Sequence, residues 1–413
     1  MKYDIVIVGG GPSGSLAGLN LAGRGLRVLL LDRGKFPRVK PCGGGISYRM
    51  YARFAYIKGL LSSVPTNFVH KIIMESPSRK VVESTSAEPL YAMIRRSEFD
   101  ATLLNACRDG GIEVREGCTL TKLHSTRDTM MLTDSSGHSI EAQLVIGADG
   151  VNSTVAVHCG LRRSWAGDSV AIDSTEETPT CKLSSASDTM YVYYGFGGRY
   201  GYAYVFPKVE HVNLGVGYLV DDYRCNIQRS MRDEHSRFLN FLKIEGVAYG
   251  ESDPERLHSY LLPMSGPLSR VSTHRVLLAG DAGGFVNGFT AEGIYYAMVS
   301  GEHAAKAAFD AIKVGDCSAS FLRRFDLTCD REIGQELRTS VRIQRRLLSN
   351  PKRIDKLVEL ARESTAIKTL FTDFAVGKLS YSEFRSQMIS AAPDFTIKLR
   401  LRRRGRRPSS SYN

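Results

Sequence analysis

Long hydrophobic runs are missing from this sequence, which limits the kind of protein that it encodes. No stretch of about 18 apolar residues occurs in the 413 residues, so we expect no membrane-spanning helix. The apolar segment at residues 5–8 leads into a glycine turn and not into a cleavage site, which argues against a secretory signal.

Metal-binding and disulfide patterns are also missing. The eight cysteines include no Cys-x-x-Cys pair, and they do not cluster with the nine histidines. We therefore expect no metal site and a reducing, cytoplasmic location. The motifs H-E-x-x-H, G-x-x-x-x-G-K-[ST] and G-x-S-x-G do not occur, which excludes the common zinc proteases, P-loop nucleotidases and α/β hydrolases.

Acidic residues are scarce at the two ends of the chain, where the positive charge is concentrated. The net charge is +12, of which residues 1–53 carry +7 and residues 394–413 carry +6, so the middle is near neutral. A protein coated with nucleic acid is not expected from this pattern. The basic tail, residues 393–413, mixes arginines with Leu399 and Leu401. It predicts a peripheral contact with the inner face of an anionic membrane, or a solvated terminus with no partner.

What the sequence does contain begins with a glycine-rich turn behind a predicted strand. Residues 3–8 are apolar and rich in β-branched side chains, the segment from Gly9 to Gly14 matches G-x-G-x-x-G, and a helical apolar pattern follows. Gly9 permits the turn, Gly11 lets the backbone approach a pyrophosphate, and Gly14 lets helix and strand pack closely. The residues expected to contact a dinucleotide here are Gly9, Gly11, Pro12, Ser13 and Gly14.

A second predicted strand, residues 26–31, ends at an acid. Asp32 is placed to accept hydrogen bonds from the hydroxyls of an adenosine ribose. An ordinary strand–helix unit with a glycine turn is the alternative interpretation. The order strand, loop, helix, strand and acid within about 30 residues favours a dinucleotide site.

A later segment favours FAD over NAD as the dinucleotide. Residues 274–279 predict another strand, which leads to Asp281 between glycines, and a helix is predicted over residues 290–298. An acid at this place can reach a ribityl hydroxyl, and Gly293 and Ile294 near the helix start can face a flavin carbonyl.

Together with a central Asp-Gly pair at residues 149–150, these motifs resemble the FAD-dependent oxidoreductases of the p-hydroxybenzoate hydroxylase type. The resemblance implies that FAD is the cofactor. It also implies that Arg96, in the element R-x-x-F-D, borders the flavin chain, and that the backbone of Leu120 contacts adenine. A solvated helix start is the alternative for Arg96.

Three consecutive glycines follow a cysteine in the segment from Lys40 to Gly45. Bare backbone suits a loop that lies against a flat ring system or a phosphate, so Gly43 and Gly45 are expected to contact the cofactor. Cys42 lies beside Lys40 and glycine N–H groups, surroundings that favour a thiolate. We predict that Cys42 is both cofactor-binding and catalytic. A buried small hydrophobe in a turn is the alternative.

This loop is similar to the P-C-G-G-G segment of the geranylgeranyl reductase family, and the resemblance extends over residues 1–350. It implies an enzyme that uses reduced FAD to saturate C=C bonds of isoprenoid chains on lipids, chlorophyll precursors or quinones. The segment 202–208 resembles the family's Y-x-W-x-F-P-K element, which lines the lipid channel. Tyr204 replaces the tryptophan and adds a hydroxyl that needs a partner. The implied substrate residues are Tyr202, Tyr204, Phe206 and Pro207.

The alternation of aromatic residues supports a ligand cavity independently of any family. Residues that share one face of the predicted strand are Tyr200, Tyr202, Tyr204 and Phe206. Glycines at positions 195, 197, 198 and 201 remove bulk beside these rings, which leaves room for a long apolar ligand. An aromatic face that only packs the core is the alternative.

The predicted reaction adds a hydride from reduced flavin to one carbon of an isolated double bond and a proton to the other, in a dry pocket. The alternatives are a flavin monooxygenase that hydroxylates an aromatic or lipid substrate on the same fold, and a lipid carrier with a relic flavin fold. A flavin halogenase is excluded because its W-x-W-x-I-P motif needs two tryptophans and the sequence has only Trp165. The electron donor is left open between reduced ferredoxin, another reduced carrier and NAD(P)H.

The predicted architecture is α/β, with a Rossmann-like FAD-binding domain, an inserted antiparallel-sheet substrate domain and a helical C-terminal region. The expected FAD-binding pieces are residues 1–60, 95–155 and 270–315, the substrate (isoprenoid) domain is residues 61–94 and 156–269, and the helical region is residues 316–392. The inserted sheet is predicted from strands at residues 72–75, 190–194, 201–207 and 212–218. The helical region is expected either to cap the lipid channel or to pack an ordinary core.

Overall fold

A computed structural model describes residues 2–198, 201–375 and 378–392 of the chain. The strands are β1 (Lys2–Val8), β2 (Val28–Asp32), β3 (Gly45–Ser47), β4 (Thr66–Val69), β5 (Lys71–Glu75), β6 (Val81–Thr85), β7 (Tyr91–Ile94), β8 (Glu113–Glu116), β9 (Leu120–Ser125), β10 (Met130–Asp134), β11 (Ser139–Gly147), β12 (Val170–Thr178), β13 (Cys181–Leu183), β14 (Thr189–Tyr194), β15 (Gly201–Pro207), β16 (Val212–Leu219), β17 (Ala248–Gly250), β18 (Leu257–Pro263), β19 (Ser272–Thr273) and β20 (Val276–Leu278). The helices are α1 (Pro12–Leu21), α2 (Arg49–Arg53), α3 (Lys58–Leu61), α4 (Arg96–Asp109), α5 (Thr154–His158), α6 (Val220–Asn226), α7 (Met231–Ile244), α8 (Ile294–Val314), α9 (Ala319–Cys329), α10 (Gln335–Leu347), α11 (Pro351–Glu363), α12 (Thr365–Ala375) and α13 (Tyr381–Ala391).

The larger sheet is the Rossmann-like half of the fold. Its strands run in the order β19-β20-β11-β1-β2-β8, and the hairpin β9–β10 pairs with β11. The pairs from β20 through β11, β1 and β2 to β8 are parallel, so their carboxyl ends meet at one edge. Strand β1 is buried on both faces, with Ile5, Val6 and Ile7 inaccessible to solvent, as its apolar run predicts.

The second sheet contains the four strands predicted for the inserted domain. Its order is β18-β12-β16-β15-β14-β5-β6. Every pair is antiparallel except β14–β5, which is parallel. The inserted sheet is therefore antiparallel as predicted, apart from this one pair. The reason is topological, since β14 lies more than a hundred residues after β5 and reaches it by a long crossover, which permits either direction.

One helix begins later than its sequence pattern indicates. The predicted helix over residues 290–298 starts only at Ile294. The Asn287 side chain accepts hydrogen bonds from the N–H groups of Phe289 and Thr290, and Ala291 has a φ of 58°. These contacts hold the preceding residues in a turn, because a side-chain acceptor competes with helix formation. The start of α8 is thereby free to face the cavity described below.

The carboxy-terminal helices pack against the second sheet. Helices α10 to α13 form one apolar cluster that includes Val82 of β6 and Phe289, with Tyr194 and Met74 at its border. A hydrogen bond of 2.7 Å from the Thr372 hydroxyl to that of Ser84 joins α12 to β6. In the part of the chain that the structure describes, no helix is long and apolar enough to cross a membrane.

Candidate functional site

A cavity of about 660 Å³ lies between the two sheets. Its wall includes the glycine turn after β1, the ends of β2 and β11, the Cys42 loop, and the start of α8. Its floor is one face of the second sheet, from β18 across to β5. The volume is that of a site for a large organic ligand.

The glycine turn after β1 brings bare backbone to the cavity. Gly9 has a φ of +107°, and a Cβ there would lie 2.3 Å from the Ala148 carbonyl oxygen. A Cβ on Gly14 would lie 1.8 Å from the Gly9 carbonyl oxygen, so the start of α1 packs directly on the turn. Only glycine permits this approach.

The helix start behind this turn fits a phosphate group. The Ser13 hydroxyl is buried and finds no hydrogen-bond partner among the described residues, although it lines the cavity. Buried hydroxyls are normally paired, so this one indicates a ligand. The free N–H groups at the start of α1 favour an anion at the same place. The residues present therefore fit the pyrophosphate of the expected FAD.

Asp32 ends β2 beside this turn. Its carboxylate accepts hydrogen bonds of 2.7 Å each from the backbone N–H groups of Gly10 and Gly34, and Arg38 lies 3.7 Å from it. The carboxylate lines the cavity with its position fixed by these bonds. A fixed acceptor at this strand end is what recognition of a ribose hydroxyl requires.

Arg96 begins α4 and is buried, so it is not a solvated helix start. It holds the Asp100 carboxylate with two hydrogen bonds of 2.8 Å. Burial opposes the charge of Arg96, but Asp100 and the Cys42 thiol, which hydrogen-bonds the guanidinium, raise its pKa above the ordinary value. The arginine therefore stays charged in the cavity wall, next to the cysteine.

The Cys42 loop bends tightly over the floor of the cavity. The Gly44 N–H donates to Cys42 Sγ at 3.3 Å, and Gly44 has a φ of +67°. A Cβ on Gly43 would lie 2.8 Å from the Phe206 ring, so the loop rests on the aromatic residues of β15. The half-buried thiol thus faces the cavity between the glycine turn and the aromatic floor.

A buried amide fixes this loop to the second sheet. Asn213 donates from Nδ2 to the Cys42 carbonyl at 3.2 Å and accepts at Oδ1 from the Thr175 hydroxyl at 2.6 Å. Glu177, which is paired with Lys208, also accepts from the Asn213 amide. The position of the cysteine is therefore set by β12 and β16, which the sequence analysis did not connect with it.

The aromatic residues divide between the two faces of the second sheet. Tyr202, Tyr204 and Phe206 line the cavity. Tyr191 and Tyr193 point to the opposite face and pack in a core with α7. An aromatic face that only packs the core is therefore the one formed by Tyr191 and Tyr193. The face formed by Tyr202, Tyr204 and Phe206 lines the cavity. Tyr200 lies outside the described residues.

The hydroxyl that Tyr204 adds to the family pattern has a partner. It donates to the buried Asp173 carboxylate on β12 at 2.9 Å, and the Tyr260 hydroxyl of β18 bonds the same carboxylate. The pKa of Asp173 is raised to about 6, because the effect of burial outweighs that of the two phenol hydrogen bonds, which lower the pKa. Sequence reasoning missed this acid. The alternation of Asp173, Thr175 and Glu177 on one face of β12 was the available signal.

The late motif forms part of the cavity wall. Asp281 lies in the turn before α8, and burial raises its pKa against the opposing charges of Lys40 and Arg96. Glu292 is buried and accepts from both the N–H and the hydroxyl of Ser47 at 2.8 Å. This contact ties the late motif to the strand that follows the Cys42 loop.

Most of the predicted site residues lie in the cavity wall. They are Gly9, Gly11, Pro12, Ser13, Asp32, Cys42, Gly43, Gly45, Arg96, Leu120, Tyr202, Tyr204, Phe206, Asp281, Gly293 and Ile294. Two predicted residues that the structure describes lie behind the wall. Gly14 packs α1 on the turn, and the Pro207 carbonyl accepts a hydrogen bond of 3.0 Å from Asn67.

The far end of the floor is apolar. Ile72 and Met74 of β5 lie beside Met190 and Val192 of β14, and Thr372 of α12 closes that end. The helical region therefore contributes Thr372 to the cavity and also packs a core of its own. The cavity has a polar end at β12 and β18 and an apolar end at β5.

Known proteins are similar to this chain over most of its length. The sequence pattern of the FAD binding domain matches residues 2–305. The chain is similar to digeranylgeranylglycerophospholipid reductase 2 of Methanothermobacter thermautotrophicus, at 28% identity over 84% of this chain and 88% of that protein. It is also similar to the chloroplastic geranylgeranyl diphosphate reductase of Arabidopsis thaliana, at 30% identity over 76% of this chain and 67% of that protein.

A solved structure shows the same fold. A geranylgeranyl bacteriochlorophyll reductase-like protein from Thermoplasma acidophilum superimposes with a TM-score of 0.81 at 21% sequence identity. The match covers 96% of this chain and 98% of the other.

Proposed function

The chain belongs to the geranylgeranyl reductase family of FAD-dependent oxidoreductases, and we propose that it saturates C=C bonds of a geranylgeranyl or related isoprenoid chain carried on a lipid. FAD is its cofactor. When bound in reduced form, FAD supplies the hydride. The protein supplies the geometry, the dry surroundings and the proton.

The observation that carries this proposal is the continuity of the cavity. One space joins the dinucleotide-binding turn to an aromatic and aliphatic floor, with Cys42 between them. Such a floor suits an isoprenoid chain, which offers apolar surface and no hydrogen-bonding groups. The Cys42 loop lies where bound cofactor and bound chain meet.

Each part of the chain has a defined task in this reaction. Ser13 and the start of α1 hold the pyrophosphate, and Asp32 holds the ribose. The aromatic residues of β15 orient the alkene and exclude water. Cys42 Sγ, held by the Gly44 N–H and Arg96, lies at the reacting face.

We expect the purified protein to be yellow and to saturate an isoprenoid without oxygen. The holoprotein is reduced with dithionite under argon and mixed with geranylgeranyl diphosphate or with a digeranylgeranylglycerophospholipid. Mass spectrometry of the extract should show a gain of two hydrogens per reduced bond. Gain of an oxygen atom, seen only when oxygen is admitted, would instead support the monooxygenase. A colourless protein that takes up no FAD would support the lipid carrier.

The basic tail is proposed to hold the enzyme at the membrane that contains its substrate. Residues 393–413 lie outside the described residues, so this rests on their charge. A basic side chain near anionic lipid contributes up to about 1 kcal/mol. We expect the full chain to sediment with vesicles that contain phosphatidylglycerol, and a variant that ends at residue 397 to bind at least tenfold more weakly. Equal binding by the two proteins, both loaded with FAD, would eliminate this role.

A further inference from the structure

The polar end of the cavity contains a buried acid that two phenols hold. Asp173 is 4% exposed, and its hydrogen-bond partners are the hydroxyls of Tyr204 and Tyr260. No salt bridge to Asp173 occurs among the described residues. The buried Asp100 contrasts with it, because Arg96 and Arg38 both pair with that carboxylate. A buried acid that lacks a cation partner can keep its proton at moderate pH.

Two glycines on β16 make the contact between Tyr204 and Asp173 possible. Tyr204 lies opposite Gly215, and Asp173 lies opposite Gly217. A Cβ on Gly215 would lie 2.0 Å from Tyr204 Cζ, and one on Gly217 would lie 2.9 Å from Asp173 Oδ1. The tyrosine of β15 can therefore cross β16 and reach the acid of β12, which side chains at these positions would prevent.

Titratable groups from three neighbouring elements face Asp173. They are Tyr202 and Tyr204 of β15, Tyr260 of β18, and Lys40 and Cys42 of the glycine loop. Lys40 Nζ lies 4.4 Å from the centre of the Tyr260 ring. Burial raises the pKa of Tyr204 and of Tyr260, and the Asp173 charge raises them further. Asp173, with a pKa of about 6, therefore titrates below both phenols.

Two donors point at Cys42 Sγ. The sulfur accepts the Gly44 N–H at 3.3 Å, and the Arg96 guanidinium is a second donor to it, so both contacts use the sulfur as an acceptor. The reaction of the proposed function needs an acid in the same cavity, and the protonated carboxyl at its polar end is such an acid.

We infer that the Asp173 carboxyl is the acid that protonates the alkene, with the Tyr204 hydroxyl between the carboxyl and the substrate. This rests on the proposed function. In the protonated form the Asp173 O–H donates to the Tyr204 oxygen, the reverse of the hydrogen bond that the carboxylate accepts, and this frees the Tyr204 O–H for the alkene. The Asp173 O–H bond then breaks as its proton passes to the Tyr204 oxygen, and the Tyr204 O–H bond breaks as its proton forms a C–H bond with one alkene carbon. The hydride forms the second C–H bond, so the product gains one H⁻ and one H⁺. The carboxylate that remains takes a proton from water before the next turnover.

The test is a single turnover of reduced holoprotein with geranylgeranyl diphosphate between pH 5 and pH 8. We expect the wild-type rate to fall by about tenfold per pH unit above pH 6, because the acid must be protonated. Asp173→Asn should react at least tenfold more slowly at pH 6 and lose this dependence. Tyr260→Phe removes a hydrogen bond that lowers the Asp173 pKa, so its decline should begin at higher pH.

The matched control is Glu176→Gln, a buried acid on the opposite face of β12 that accepts from Ser252 and from the Asp253 N–H. We expect it to keep the wild-type rate and pH profile, and all variants to keep the absorbance of bound FAD. An Asp173→Asn variant with the wild-type profile would overturn the proton assignment and leave the proposed function intact. A wild-type protein that saturates no isoprenoid would overturn both.

Discussion

Replacing Cys42 with alanine is expected to slow isoprenoid saturation more than tenfold and to leave FAD bound. The thiol is the polarizable group that the loop presents between the cofactor-binding turn and the aromatic floor, and alanine leaves that place without a sulfur or a hydrogen-bond acceptor. FAD affinity should persist because the proposed pyrophosphate and ribose contacts come from other residues, Ser13 and Asp32. Single-turnover rates and flavin absorbance measure the two effects separately.

A second substitution at this position distinguishes chemistry from loop placement. Serine keeps an acceptor for the Gly44 N–H but lacks the polarizable sulfur, so we expect Cys42→Ser to be slow as well. The exposed Cys225 provides the control, and Cys225→Ala should turn over at the wild-type rate. Wild-type turnover by Cys42→Ser would assign Cys42 a positioning role, and wild-type turnover by both Cys42 variants would remove it from the mechanism.

Replacing Gly14 with alanine is expected to weaken FAD binding at least a hundredfold. The new Cβ would lie 1.8 Å from the Gly9 carbonyl oxygen, which is backbone and cannot rotate away. Helix α1 must then move away from the turn, and its N–H groups no longer point at the pyrophosphate. A hundredfold loss is about 2.7 kcal/mol of binding free energy. Fluorescence titration of the apoprotein with FAD gives the two dissociation constants.

Gly59→Ala is the matched control for this loss. Gly59 also lies in a helix, α3, but a Cβ there meets nothing within 4 Å. Alanine favours a helix over glycine by up to about 1 kcal/mol, so the control should bind FAD normally and be no less stable. Normal FAD affinity in Gly14→Ala would contradict the close packing of α1 on the turn.

The local motifs were readable from the sequence because each serves a backbone geometry that few residue types permit. Gly9 and Gly14 fit a turn on which a helix packs, and the alternation of Tyr202, Tyr204 and Phe206 fits one face of a strand. The late helix was placed four residues too early. Its apolar pattern is helical from residue 290, but the Asn287 side chain accepts hydrogen bonds from the N–H groups of Phe289 and Thr290 and holds these residues in a turn.

The arrangement of residues at the polar end of the cavity could not be predicted from the sequence. Asp173, Gly217 and Tyr260 come from three strands that are separated by tens of residues in the chain. Strand order and register bring them together, and neither follows from the local pattern of any one strand. The parallel pairing of β14 with β5 escaped prediction for the same reason.

The sequence by itself determined the dinucleotide-binding turn, the family and the aromatic strand, because these depend on neighbouring residues and on backbone sterics. Tertiary structure alone decided which face of that strand lines the cavity, what fixes the Cys42 loop through Asn213, and which acid the Tyr204 hydroxyl meets. Those relations depend on burial and on contacts across strands. Burial changes the proton affinity of a carboxyl, and only the assembled sheet determines which carboxyl is buried beside a phenol.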